Sequence, residues 1–276
     1  MNGSQLDVFN RYLKAQVAVP ENTREPRPLA ITVSREAGAG GIIIAELLAK
    51  RLTAIEKTAA TSPWAVFDAN LAKQVLEDHK LPPELERFIT EDTRLPIEEI
   101  VEEVLGLHPS AWRLVQHTTK TILRLAGLGR AILVGRGASV ITARLLNVFH
   151  VRLVAPLATR IRRAAEYYHL SEAEADRLVM ERDQARRGYL RRYLNAEIDD
   201  PTLYDVTLNT GRLGFAGSAE AIEQLALQHY RAFIARERIE VCSSTARKSG
   251  RSVSEALTSN GAARLRVRSL FDKHAS

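Results

Sequence analysis

Short runs of apolar residues alternate with longer amphipathic stretches through the middle of the chain. The runs predict five buried strands, at residues 29–33, 64–67, 131–134, 148–154 and 204–208. The stretches between and after them predict helices at residues 41–52, 69–76, 82–107, 112–128, 157–169 and 218–234. One more helix is predicted for the charged stretch that opens with a capping box at residues 171–174. Strands and helices in βαβ order imply a mostly parallel sheet covered on both faces, which is an α/β fold.

The two ends of the chain differ in composition from this middle part. Residues 6–17 have loose helical spacing, and a stretch rich in proline and charge follows them. From about Glu240 the chain becomes polar and basic. We therefore divide it into an N-terminal helical extension and linker (1–27), one domain (28–238) and a basic, flexible tail (239–276). Both appendages are compatible with a homodimer. Residues 53–62 are expected to form a small polar insertion.

Composition excludes several classes of protein. No stretch approaches the roughly 18 apolar residues of a membrane span, and no secretory signal is visible. The single Cys242 excludes an internal disulfide and fits a reducing cytosol, so we expect a cytoplasmic protein. The net charge of +6 suits anionic ligands but is too small to indicate nucleic acid by itself. The histidines show no metal-ligand spacing, so no metal site is predicted.

A glycine-rich turn joins the first predicted strand to the first helix. It comprises Ser34, Arg35, Glu36, Ala37, Gly38, Ala39, Gly40 and Gly41. Glycine lets the backbone approach an anion closely, and the N-terminus of the next helix offers free N–H groups and a positive dipole end. The turn therefore has the form of a phosphate cradle, although a plain strand–turn–helix connection fits the same residues.

The turn departs from the Walker A pattern G-x-x-x-x-G-K-[ST]. With Gly40 as its second glycine, Gly41 takes the lysine position and Ile42 the hydroxyl position. In the register of nucleoside monophosphate kinases, Ile43 replaces the threonine. The phosphate-binding lysine and the Mg²⁺-binding hydroxyl are missing in either register.

Arginines mark two further candidate segments. Gly135-Arg136-Gly137 directly follows a buried strand, where ligands bind in open α/β sheets. The planar guanidinium of Arg136 could hold a phosphate there, or lie on the surface of a tight turn. Residues 181–192 include five arginines but only two acidic residues, so local ion pairs cannot neutralise all of the arginines. This excess favours a polyanion-binding helix over a salt-bridged surface helix. Asp68, at a strand-to-helix boundary, is either an N-cap or an acceptor contact.

Together these segments resemble the cytidylate kinase-like family, a bacterial branch of the P-loop nucleoside monophosphate kinases. The resemblance runs from about residue 29 to 234. It rests on residues 31–41, 134–138, 150–156 with Arg160, 183–186 with Tyr189 and 191–193, and 200–205 with 208–212.

The resemblance implies a P-loop NTPase, three-layer fold with about five parallel strands, helices on both faces and a helical lid. It implies a transferase that moves the ATP γ-phosphoryl group to CMP, dCMP or a similar phosphorylated small molecule, with Mg²⁺. By position, ATP binding falls to Ser34, Arg35, Glu36, Gly38, Ala39, Gly40 and Gly41. Acceptor binding falls to Asp68, Arg136, Arg186 and Arg191, and catalysis to Arg35, Asp183 and Arg186.

Two departures from the family keep other functions open. Apolar Ile42 to Ile44 stand where a polar or charged residue is expected, and Gly137 stands where true cytidylate kinases carry an aspartate. Besides an ATP- and CMP-using kinase, the sequence therefore allows a nucleotide-binding regulatory protein without turnover. It also allows a module that binds nucleic acid or a partner through its basic tail.

Overall fold

The computed structural model describes residues 26–56, 63–68 and 110–249 of the chain. Within these ranges five strands form one sheet: β1 (Ala30–Arg35), β2 (Ala65–Phe67), β3 (Ala131–Val134), β4 (Val148–Val154) and β5 (Val206–Asn209). Their spatial order is β2-β3-β1-β4-β5, and every neighbouring pair is parallel. The predicted five-stranded parallel α/β fold is confirmed.

Six helices lie in the described ranges. They are α1 (Gly41–Ile55), α2 (Ser110–Leu128), α3 (Ala138–Ile141), α4 (Leu157–Tyr168), α5 (Glu172–Leu194) and α6 (Thr210–Ser249), with a short 3-10 turn at Pro201–Leu203. None of the helices in these ranges is long and apolar enough to cross a membrane.

The alternation of side chains along the strands creates two cores, one on each face of the sheet. One face joins Ile31, Val33 and Ile132 to buried residues of α1 and α6, such as Leu48 and Ile222. The other face joins Ala30, Leu133 and Val148 to Ile122 and Ala126 of α2 and to Ala138 of α3. Because both faces are covered, the strands read in sequence as nearly continuous apolar runs.

Helices α4 and α5 form the helical pair expected as a lid. Their common core contains Ala164, Ala175 and Val179. The predicted capping box is present, because the Ser171 hydroxyl accepts from the Glu174 N–H while the Glu174 carboxylate accepts from the Ser171 N–H. Residues of α5, among them Arg186 and Tyr189, lie near the carboxyl ends of β1 and β3.

Two predicted boundaries are wrong. The insertion expected at 53–62 begins later, because α1 continues to Ile55; residues 57–62 lie outside the described ranges. The last helix, Thr210–Ser249, is interrupted at the non-helical Gly214 and continues past the predicted end at residue 234 to Ser249. Its three early glycines, including the non-helical Gly214, weaken the helical pattern, so the sequence signal begins only at residue 218.

The proposed division into extension, domain and tail stays a prediction. Residues 1–25 and 250–276 lie outside the described ranges, as do the helices predicted at 69–76 and 82–107. Helix α6 runs past the predicted boundary at residue 238.

Candidate functional site

A cavity of about 320 Å³ lies at the carboxyl ends of β1 and β3, beneath α5. Its polar lining side chains belong to Thr32, Ser34, Arg35, Arg136, Ser139, Arg186 and Tyr189. The remaining lining residues are glycine or apolar, among them Gly135, Val134, Leu190 and Ile198. No carboxylate of the described chain lines this cavity. A space with three arginines and no lining acid is suited to an anionic ligand.

Arg35 provides a cation at the end of β1. Its aliphatic stem lies against Gly41, and its guanidinium lies beside Gly135 in the cavity wall. Burial lowers the pKa of Arg35 to about 10, and the nearby charge of Arg186 acts in the same direction. The opposite charge of Asp68 partly compensates. Arg35 therefore stays cationic at neutral pH in a field that favours binding of an anion.

Arg136 is held in an unusual backbone conformation. Gly135, Arg136 and Gly137 are three successive left-handed residues, with φ of 86°, 53° and 69°. A side chain at Gly137 would collide with Cδ1 of Leu194 at the end of α5. Gly137 thus combines a left-handed backbone with close packing against α5, and both features disfavour a larger residue. The turn leaves Arg136 exposed at the cavity mouth.

Arg186 comes to the cavity from α5. Its Nη1 donates to Oδ1 of Asp183 at 3.2 Å, one helical turn earlier. Burial lowers the pKa of Arg186, while the charge of Asp183 opposes this shift. The structure thus brings together three predicted site residues, Arg35, Arg136 and Arg186, from three different elements.

Asp183 lies behind the cavity and does not line it. Its carboxylate is buried and accepts from the Ala37 N–H at 2.7 Å and from Nη1 of Arg160 at 2.7 Å, in addition to Arg186. The Arg160 guanidinium also donates to the Ala37 carbonyl at 3.2 Å. Asp183 therefore connects the glycine-rich turn to both lid helices, which is a positioning role.

The glycines of the turn are explained by packing contacts with three different partners. Gly38, at φ 76°, faces the backbone carbonyl of Arg160, and Gly40, at φ 84°, faces the ring of Phe215. Gly41 faces Arg35. Glu36 and Ala39 also bind the protein: Glu36 accepts from the Ala155 N–H at 3.0 Å, and the Ala39 carbonyl accepts from the Thr210 hydroxyl at 3.0 Å. Residues 36–41 do not line the cavity.

A polar ladder on β1 and β4 lies beside the cavity, which Thr32 and Ser34 line, and sequence reasoning missed it. Thr32 pairs with His150 and Ser34 with Arg152 in the strand register. Each pair is joined by a side-chain hydrogen bond. Thr32 Oγ1 lies 2.8 Å from His150 Nδ1, and Arg152 Nη1 donates to Ser34 Oγ at 3.0 Å. The polar residues His150 and Arg152 inside a mostly apolar strand were the available signal, because an unpartnered buried cation is costly.

Arg152 also connects the ladder to the lid. Its Nη2 donates to Asp199 at 3.0 Å, and Asp199 accepts from Nε of Arg187 on α5 at 3.0 Å. The Tyr204 hydroxyl lies 3.2 Å from Ser34 Oγ and donates to the Ile198 carbonyl at 2.8 Å. The end of β1 is therefore tied to α5 through side chains alone.

Two predicted acceptor residues have different surroundings. The structure places Arg191 on the exposed face of α5, paired with Glu197 at 2.8 and 2.9 Å and outside the cavity lining. Asp68 directly follows β2, and it lies near enough to Arg35 for its charge to raise the pKa of that arginine. The helix predicted at residues 69–76, which Asp68 would cap, lies outside the described residues.

Replacing His150 with glutamine should flatten the dependence of stability on pH between about 7 and 5. Burial lowers the pKa of His150 below its ordinary 6.5, with Asp205 opposing and His229 reinforcing the shift. The unfolded chain therefore binds the proton more readily, and His150 destabilises the fold as the pH falls through 6.5. Thermal unfolding across this pH range checks the prediction. The exposed His169, replaced by asparagine, serves as control; equal slopes for wild type and His150→Gln would contradict it.

Comparison with known proteins identifies the family. The sequence model of the cytidylate kinase-like family matches residues 30–212. The chain belongs to the cytidylate kinase-like family. A solved structure of an uncharacterized protein from Eubacterium ventriosum ATCC 27560 aligns with 18% identity and a TM-score of 0.48, over 72% of this chain and 98% of that chain. No curated protein matches the chain.

Family membership implies nucleotide binding, and the site accommodates phosphate better than a metal ion. The first turn of α1 has no acidic residue, and its leading N–H groups lack intrahelical acceptors, which suits a phosphate group. Ile42 and Ile43 offer no hydroxyl to Mg²⁺. Among the described residues, no group of three or more His, Cys, Asp or Glu side chains could hold a metal. The turn therefore lacks the hydroxyl ligand with which a standard P-loop holds Mg²⁺.

Proposed function

We propose that this member of the cytidylate kinase-like family transfers the γ-phosphoryl group of ATP to CMP, dCMP or a similar phosphorylated small molecule. The observation that carries the proposal is the cavity at the ends of β1 and β3, lined by Arg35, Arg136 and Arg186 and covered by α5. It lies where open α/β sheets bind ligands. Its cations match the charge of a phosphomonoester.

The chain's residues would act by positioning and by neutralising charge, which is most of what phosphoryl transfer requires from a protein. Arg136 and Arg186, which line the cavity from two different elements, would hold the acceptor phosphate. Arg35, which lines the same cavity, would also contact the acceptor phosphate and would neutralise charge that develops as the transferred group reaches it. Asp183 would keep Arg186 and the turn in place. Helix α5 would exclude water above the site.

Titration calorimetry with ATP and with CMP, each with and without Mg²⁺, tests this function directly. We expect CMP to bind to the wild-type protein, and we expect ADP release in a coupled assay only when both nucleotides are present. Absence of CMP and dCMP binding would overturn the proposed acceptor class.

Binding without turnover is the second candidate function, and the turn favours it. Ile42 and Ile43 replace the residues that would organise donor phosphate and metal, and the turn glycines are explained by protein packing. Nucleotide binding in the calorimetry, with no ADP release in the coupled assay at any Mg²⁺ concentration, would support a nucleotide-binding regulator. ADP release dependent on CMP would exclude that function.

A further inference from the structure

Position 41 requires glycine because a side chain would not fit there, and not because of its backbone conformation. It is the first residue of α1, and its φ is not in the left-handed region. A Cβ at this position would lie 2.8 Å from Cγ of Arg35 and 3.3 Å from both Cβ and Cδ. These atoms form the stem of the Arg35 side chain, close to the backbone, so they have little freedom to move aside. A lysine at position 41 and the observed Arg35 conformation therefore exclude each other.

Arg35 itself occupies a position that the Walker A pattern gives to glycine. In G-x-x-x-x-G-K, with Gly40 as the second glycine, residue 35 is the first glycine and residue 41 the lysine. The chain has arginine and glycine at these two positions, which is the reverse assignment. The number of cations in the turn is thus preserved while the cation changes position.

The guanidinium reaches the acceptor cavity by this change. It lies against Gly135, where even a methyl group would collide with Nη1, so Gly135 leaves the space that Arg35 fills. Arg136 and Arg186 line the same cavity. Two glycines from separate elements, Gly41 and Gly135, therefore form the channel through which this one side chain passes.

We propose that Arg35 replaces the Walker lysine, that Gly41 is required to let it pass, and that the exchange moves the cation of the turn from the start of α1 into the cavity that binds the acceptor phosphate. The last part rests on the proposed function. The exclusion between positions 35 and 41 does not.

A double-mutant cycle tests the exclusion through stability alone. Gly41→Lys should lower the midpoint of thermal unfolding by about 4–10 °C, as expected for an overpacked site in a chain of this size. In the Arg35→Ala background the same lysine should cost less than half as much. Gly188→Lys is the matched control, because Gly188 is an exposed helical glycine with no atom within 4 Å of an added Cβ. Equal costs of Gly41→Lys in both backgrounds would overturn the exclusion.

Calorimetry on the same proteins tests where the cation acts. Arg35→Ala should weaken CMP binding at least tenfold, and Arg35→Lys should recover part of the affinity because it keeps the charge in the channel. Arg35→Ala with Gly41→Lys should not recover it, because that lysine starts from α1. Wild-type affinity in Arg35→Ala, or full recovery in the double variant, would overturn the placement of the cation.

Inorganic pyrophosphate separates failure of this inference from failure of the proposed function. If the wild-type protein binds pyrophosphate but not CMP, and Arg35→Ala weakens the pyrophosphate binding, the acceptor class is wrong and the anion site stands. If the wild-type protein binds neither, the anion-binding role of Arg35 is also wrong, whatever the thermal cycle shows.

Discussion

Replacing Asp183 with alanine should lower the free energy of unfolding by about 3–5 kcal/mol, the typical cost of removing one partner from a buried ion pair. The buried Arg160 would lose its 2.7 Å partner, and the Ala37 N–H would lose its acceptor. Since these contacts join α4, α5 and the glycine-rich turn, the loss would not stay local. Urea unfolding measures the change.

Asp176→Ala is the matched control for this substitution. Asp176 is an exposed carboxylate on the same helix, so its removal should change stability by less than about 0.5 kcal/mol. Asp183→Asn separates charge from shape and should fall between the two. A loss below about 1 kcal/mol for Asp183→Ala would show that the buried carboxylate does not hold the lid to the turn.

Replacing Arg136 with glycine should weaken CMP binding about 10- to 100-fold, since a charge-assisted hydrogen bond contributes about 1.5–3 kcal/mol. The free energy of unfolding should change by less than about 1 kcal/mol. Glycine relieves the cost of the left-handed conformation at φ 53°, and this gain offsets its greater freedom in the unfolded chain. Calorimetry and urea unfolding on one preparation separate the two effects.

Arg192→Ala controls for the change in net charge, because Arg192 is an exposed arginine of α5 outside the cavity lining. Its CMP affinity should stay within about twofold of wild type at physiological salt, where distant surface charges are screened. An equal loss of affinity in both variants would mean that Arg136 acts only through the overall charge of the protein.

The sheet could be predicted from the sequence because its information is local. Apolar runs such as residues 131–134 are short, bounded by glycine and separated by helical stretches, which is enough to indicate buried parallel strands. The position of Arg136 followed from the same logic, since it directly follows one of these runs. The capping box at Ser171 is likewise a short-range pattern.

The contacts that organise the site are not local, and no periodicity reports them. Ala37 and Asp183 are 146 residues apart, and Thr32 and His150 are 118 apart. Their pairing depends on strand order and register, which a single sequence does not specify. The turn shows the same limit: its glycines indicated a phosphate cradle, whereas their neighbours Arg160 and Phe215 come from α4 and α6.

The contacts of those glycines limit the evolutionary paths open to the protein. A lysine at position 41 would meet Arg35, and a larger residue at position 40 would meet Phe215. A lysine at position 41 is therefore accommodated only once Arg35 has been replaced, so the order in which these two positions change matters. Arg35 and Gly41 thus form a pair in which the side chain at one position sets the size allowed at the other.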